Sequence, residues 1–249
     1  MKFKRILKFT GIGLLAVLVL AAAGLFIWSA TSTYPAGETA LAALESSSTV
    51  RVTQERWIVF MPAIEPEGGL IFYPGGLVAP EAYAPVLREL AQQGVLVVIT
   101  PMPLNLAIFN TNQANAVIGA YPEISTWVLA GHSLGGAAAG IYAENNPDKI
   151  DGLAIWDSYP PDSADLSDNE LAVISIYGTT GGIPNTDNFD DKRYLVPEDT
   201  IFAPIEGASH AQFGDYGPQK GDVVPVISMR EQHERVVALM LGFLEEVFP

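Results

Sequence analysis

The sequence predicts an α/β domain with a mostly parallel central sheet flanked by helices, preceded by one N-terminal transmembrane helix. Three observations predict it. Short, continuously apolar runs alternate with segments of helical periodicity, which is how strands buried on both faces read. The chain has 249 residues, 49% of them hydrophobic, which fits one α/β domain and leaves little for a second. An uncharged stretch, Phe9 to Trp28, follows a basic N-terminus.

That stretch comes first in the chain. Lys2, Lys4, Arg5 and Lys8 precede it, and its roughly 20 residues at ~1.5 Å rise span a hydrocarbon core of ~30 Å. Trp28 stands at its far end, where interfacial aromatics are favoured. The basic cluster should stay cytoplasmic, so the body is expected on the extracytoplasmic side of the cell membrane, held by a single pass. A cleaved signal peptide is the competing reading. Ala21 and Ala23 are small enough for a cleavage site, but the chain stays apolar through Leu25, Phe26, Ile27 and Trp28. Cleavage would make the body a secreted one. The expected organisation is an anchor or signal over 1–30, a tether over 31–48 rich in Ser, Thr, Pro and Gly, and the α/β domain over 49–249.

Within the body, strands are expected at Trp57–Phe60, Gly69–Tyr73, Val95–Ile99, Trp127–Ala130, Leu153–Trp156, Ala172–Tyr177 and Ile201–Ile205. Helices are expected around Leu41–Leu44, over Tyr83–Ala91, Ala114–Ala120 and Ala137–Glu144, and from about Arg230 to Val247. In the last, Val236, Val237, Met240, Leu241, Leu244 and Val247 form the apolar face. Ligands of such sheets bind beyond the carboxyl ends of the strands, so chemistry should follow strands.

Charge narrows the partners. There are 13 Lys and Arg against 28 Asp and Glu, net −15. Four of the basic residues lie in the first ten positions, leaving nine against all 28 acidic ones, or −19, for the rest. A body that acidic repels nucleic-acid phosphates and anionic membrane surfaces. With no Cys there is no disulfide framework, thiolate metal site or cysteine nucleophile. No cofactor or metal is expected.

Gly131-His132-Ser133-Leu134-Gly135-Gly136 lies between an apolar strand and an Ala/Gly-rich helix. This is the G-x-S-x-G nucleophile elbow in its required context. The turn strains the serine backbone, puts the Ser133 hydroxyl at the sheet edge, and sets it beside a helix N-terminus that favours an oxyanion. Of the three histidines, His132 neighbours the serine and is directed away from it. His233 falls on the polar side of the last helix, as a solvated residue. His210 follows the last strand, in the loop Glu206 to Gly214, and is the candidate base. Leu134 N–H is one oxyanion donor. The second is expected from Tyr73-Pro74-Gly75-Gly76-Leu77, from either Gly76 or Leu77. Leu104, Phe109, Trp156, Tyr159 and Phe213 follow strands and are candidates for an apolar pocket, with the core as their commoner fate.

With these motifs in place the chain resembles an α/β-hydrolase, close to the membrane-anchored bacterial branch of dienelactone-hydrolase-like proteins. Tyr73-Pro74-Gly75-Gly76, Pro101 to Ala107, the Ser133 elbow and His-Ala-Gln-Phe-Gly-Asp-Tyr-Gly-Pro-Gln, within Glu206 to Gln219, carry the resemblance over nearly the whole chain. The resemblance implies an acid in a Gly-Thr-x-Asp-Gly turn after the penultimate strand. Here that turn reads Gly178-Thr179-Thr180-Gly181-Gly182, and Gly181 stands where the acid belongs. Asp157, ending the preceding strand, is the first substitute, because some α/β-hydrolases place their acid there. Asp187, Asp190 and Asp191 in the following loop are others, and a site with no acid is the remaining case.

The expected activity is that of a serine hydrolase of small carboxylic esters or lactones, with Ser133, His210 and Asp157 as the triad. Acyl transfer to an alcohol is a close variant. A degenerate hydrolase that binds a surface ligand or partner without turnover is the rival from another class.

Overall fold

A computed structural model describes residues 2–183 and 191–248. It divides into two units, Met1–Thr33 and Tyr34–Pro249.

The first unit is helix α1, Lys2–Ser32. Within it Gly13–Ser32 has a mean hydropathy of 2.3, long and apolar enough to cross a membrane.

The second unit is an eight-stranded sheet. Its strands are β1 (Val50–Gln54), β2 (Ile58–Pro62), β3 (Gly68–Tyr73), β4 (Val95–Ile99), β5 (Trp127–His132), β6 (Gly152–Trp156), β7 (Ala172–Gly178) and β8 (Ile201–Ile205). Their spatial order is β1-β2-β4-β3-β5-β6-β7-β8. The β1–β2 and β2–β4 pairs are antiparallel, and every pair from β4 to β8 is parallel. The expected strands are all present. β1 is an addition: Val-Arg-Val-Thr-Gln has too little apolar run to be read as a strand, and it forms as a half-exposed edge.

The helices are α2 (Glu38–Ala42), α3 (Ala84–Gln92), α4 (Gln113–Ala120), α5 (Leu134–Asn145) and α6 (Met229–Val247). Successive strand residues face opposite layers. Leu70, Phe72, Val97, Ile99, Val128, Ala130 and Trp156 pack with α3 and α6. Ile71, Tyr73, Leu96, Val98, Leu129 and Ile155 pack with α4 and α5. Both faces are therefore dry, which the continuous apolar runs require. In α5 the wall is made of alanine and glycine, and a Cβ on Gly140 would approach Pro160 to 3.1 Å. This helix lies close to the sheet and holds the residue before it tightly.

The stretch 34–48 carries α2, and its Ala40 is wholly buried. Tyr34 pairs with Val78 as an isolated parallel bridge.

Candidate active site

All five non-glycine residues with positive φ among the described residues lie beyond carboxyl ends of central strands. They are Leu77 after β3, Leu104 and Asn105 after β4, Ser133 after β5 and Asp157 after β6. A side chain in this region costs roughly 1–3 kcal/mol, and such positions cluster at functional sites.

Ser133 (φ 53°, ψ −122°) sits at the N-cap of α5, where its hydroxyl makes no capping bond. The flanking glycines are steric necessities. A Cβ on Gly131 would come within 2.4 Å of Gly135 O, and one on Gly135 within 2.0 Å of Tyr73 O. The end of β6 grips the serine backbone from both sides. Ser133 N–H donates to Trp156 O (3.0 Å), and Ser158 Oγ donates to Ser133 O (2.6 Å).

Between those two grips lies Asp157. Its N–H donates to Ile176 O (2.7 Å). Its Oδ1 accepts Gly178 N–H at 2.9 Å, and its Oδ2 lies 2.6 Å from His210 Nδ1. Asp157 is 3% and His210 1% exposed. Burial pushes the Asp157 carboxyl above the usual carboxylate range, while the His210 and Gly178 hydrogen bonds favour the ion. Carboxylate geometry of this kind assigns the His210 proton to Nδ1 and leaves Nε2 as the ring's acceptor. Nε2 is buried and has no hydrogen-bond partner among the described residues, so the Ser133 Oγ–Nε2 bond is not made in this structure. Such bonds commonly tighten only when substrate binds.

The His210 turn is held from α6. Ser209 N–H donates to Gln232 Oε1 (3.1 Å) and Gln232 Nε2 donates to Ser209 O (2.9 Å). Ala211 N–H donates to Asp222 Oδ2 (2.8 Å).

Opposite the elbow, a Cβ on Gly76 would lie 3.0 Å from Leu134 Cδ2, so the Gly76 backbone adjoins the residue after the serine. The two donor candidates now differ. Leu77 N–H donates to Asn105 O at 2.7 Å and is engaged within the protein, whereas Gly76 is half-buried beside Leu134. Gly75 N–H donates to Tyr83 Oη (3.0 Å), which also meets His132 Nδ1 (2.9 Å). Burial holds the phenol protonated. Burial, and then the nearby His210, drive the His132 pKa well below 6.5, so this ring stays neutral. It packs 4.4 Å from the His210 ring.

The sequence profile of the Alpha/beta hydrolase family matches residues 69–234, from β3 into α6. The chain belongs to this family. Solved structures agree in fold. An alpha/beta hydrolase enzyme from the metagenome of sediments of the Mar Chica lagoon, Morocco, is 17% identical over 79% of this chain and 98% of that one, with a TM-score of 0.59. A ferulic acid esterase from Streptomyces cinnamoneus is 15% identical over 75% and 69%, at 0.59. A soluble variant of monoglyceride lipase from Saccharomyces cerevisiae is 9% identical over 83% and 98%, at 0.57. No curated protein matches the sequence. At these identities the structures establish the fold alone.

In this alpha/beta hydrolase, the other acid candidates are placed as follows. Asp187 and Asp190 lie outside the described residues, and Asp191 is exposed. Gly181 has a φ of 79° and open space around its Cα. His233 corrects the expectation of a solvated residue. It is 6% exposed, and burial lowers its pKa to about 4. The buried stripe of α6 is wider than its apolar residues and takes in Gln232 and His233. Of the pocket candidates, Trp156 and Phe213 are core, Leu104 and Tyr159 are half-buried, and Phe109 is 56% exposed. Tyr83, Ser158 and Gln232 were not singled out from sequence. Their roles depend on partners distant in the chain, and only the position of Ser158, next to Asp157, offered a signal.

Proposed function

We propose that the protein is a serine hydrolase that cleaves carboxylic esters or lactones through an acyl-enzyme. The observation that carries this reading is the buried 2.6 Å contact between Asp157 Oδ2 and His210 Nδ1, beside a strained elbow serine. It supports Asp157 as the acid even though the family's usual acid position is Gly181.

In this mechanism Ser133 Oγ attacks the carbonyl carbon and its proton passes to His210 Nε2. Asp157 stabilises the imidazolium and keeps the other proton on Nδ1. The oxyanion is held by Leu134 N–H and Gly76 N–H, with the N-terminus of α5 adding its partial positive charge. The tetrahedral species collapses, and His210 protonates the leaving alkoxide. Water, deprotonated by His210, attacks the acyl-enzyme; the second tetrahedral species collapses, His210 returns the proton to Ser133 Oγ, and the acid is released. No cofactor enters. Among the described residues no long insertion interrupts the strands and helices, which favours small esters over triglycerides.

The placement in the dienelactone-hydrolase-like branch rests on the Pro101–Ala107 and His210–Gln219 motifs. We assign α1 as a membrane anchor with the hydrolase domain on the extracytoplasmic side, following its basic start and apolar span.

The test is turnover of a panel of p-nitrophenyl esters by the full chain in detergent, with mass detection of the acyl-enzyme after rapid acid quench. The proposal predicts short-chain ester hydrolysis and an acyl adduct on Ser133, both abolished in Ser133→Ala. Turnover unchanged in Ser133→Ala would refute it. Absence of both turnover and adduct would leave the rival, a surface binding protein on a hydrolase fold.

A further inference from the structure

Tyr34–Ala42 follows an apolar helix and has the composition of a spacer, yet its hydrogen bonds go to two loops of the site. Tyr34 N–H donates to Leu77 O (2.8 Å), and Ala79 N–H donates to Tyr34 O (3.0 Å). These bonds extend the Gly75–Gly76–Leu77 loop after β3 with one more paired segment. Three residues on, the partners change. Gly37 N–H donates to Asp215 O (2.7 Å), and Ala40 N–H donates to Asp215 Oδ2 (2.8 Å). Asp215 lies five residues past His210, on the loop that leaves the His210 turn. The Tyr34 ring packs 5.8 Å from Tyr216, and its hydroxyl accepts Lys220 N–H (3.1 Å).

The fit is close. A Cβ on Gly37 would stand 2.1 Å from Asp215 Oδ1, so any side chain there must push the Asp215 carboxylate off its bond to Ala40 N–H. Ala40 is wholly buried, and Arg88 Nη1 closes the far end by donating to Ala43 O (2.8 Å). A solvated spacer would do none of this, since its backbone groups would bond to water. The two loops it joins belong to β3 and β8, which three strands separate in the sheet. One loop carries Gly76 and the other His210, on opposite sides of Ser133.

We propose that Tyr34–Ala42 is a strap that sets the oxyanion loop and the histidine loop relative to each other, and that its residues are positioning residues for the reaction. This rests on the serine-hydrolase reading above. An oxyanion donor and a general base must hold their places to a fraction of an ångström, and displacement by about 1 Å can lower a rate 10²-fold. A strap binding both loops shortens the path over which such errors accumulate.

The test uses the full chain in detergent, with fluorophosphonate labelling and p-nitrophenyl acetate kinetics side by side. In Gly37→Ala the new methyl meets the Asp215 carboxylate and lifts the strap. The expected result is a kcat about ten- to a hundredfold lower with KM within about twofold, and a parallel loss of labelling rate. Adding Asp215→Ala removes the obstructing oxygens and should recover part of that loss. Replacing Tyr34–Ala42 by a Gly/Ser run of equal length should give at least the same fall in kcat with a cooperative melt retained. Wild-type kcat and labelling in the strap-replaced chain would overturn the strap while leaving the hydrolase standing. If that chain fails to fold, an unchanged kcat in Gly37→Ala overturns it instead. A wild-type chain that neither labels nor turns over overturns both readings.

Discussion

Asp157 holds a left-handed backbone (φ 44°) that an aspartate adopts more readily than most residues, and its carboxylate meets His210. Its neighbours Trp156 and Ser158 meanwhile hold the N–H and C=O of Ser133. One tripeptide thus fixes Ser133 and Asp157 together. Asp157→Asn should keep the packing but misassign the His210 tautomer, lowering kcat about 10³- to 10⁴-fold. Tyr83→Phe leaves Gly75 N–H without its acceptor and His132 Nδ1 without its partner. The expected loss is about 1–3 kcal/mol of stability in a thermal or urea melt, and an unchanged midpoint would refute the network. His233 and His132 give a pH dependence. The unfolded chain protonates His233 near 6.5, and the folded one only near 4. A depressed folded pKa means stability that is present above 6.5 and lost as pH falls toward 4. His132 acts in the same direction. His233 contributes up to ~1.4 kcal/mol per pH unit in that window. His233→Leu should flatten the decline in urea midpoint between pH 6.5 and 4.5, and an undiminished slope would show that His233 is not buried neutral.

The elements around the site differ in how plainly they could be read. β3 to β7 are continuous apolar runs because both faces are covered, so periodicity found them, and the edge strand β8 keeps the same apolar run although Ile201 and Pro204 are exposed. β1 escaped because an edge strand with one wet face carries only alternate valines. The 34–48 stretch read as a tether because Ser, Pro and Gly also suit solvated chain. Its packing depends on Asp215 and Leu77, which no local pattern connects to it. The elbow was legible because its glycines are forced. Gly135→Ala would drive a methyl to 2.0 Å from Tyr73 O, prying α5 from β3. It should leave little folded protein at 25 °C by circular dichroism, and a native melt would contradict the packing described here. Asp157 was legible as a candidate because it closes β6, with Asp187, Asp190 and Asp191 left open beside it. The choice between Gly76 and Leu77 was not legible, because it requires knowing that Asn105 O already takes the Leu77 N–H. His233 was misplaced because Glu231 and Glu234 flank it, and a helix pattern records hydrophobicity and not burial of a polar side chain.

The molecule as a whole joins an apolar helix to a body with net −19, and this contrast limits what it can approach. An anionic ester would meet a repulsive field, strongest at low ionic strength, whereas a neutral one would not. Turnover of a neutral acetate ester should therefore change little between about 10 and 150 mM salt, while that of a carboxylate-bearing ester should rise. A carboxylate-bearing ester slowed by added salt would mean a local cationic site outweighs the global charge. If the strap proposal holds, the domain that activity requires includes Tyr34–Ala42 and does not start at β1. The central claim is that Ser133, His210 and Asp157 act as one unit. The most direct measurement is intact-mass labelling of the full chain by a fluorophosphonate, with Ser133→Ala and Asp157→Asn alongside. The account predicts one adduct per chain on Ser133, none in Ser133→Ala, and labelling slowed by orders of magnitude in Asp157→Asn. Labelling of Asp157→Asn at the wild-type rate would contradict it.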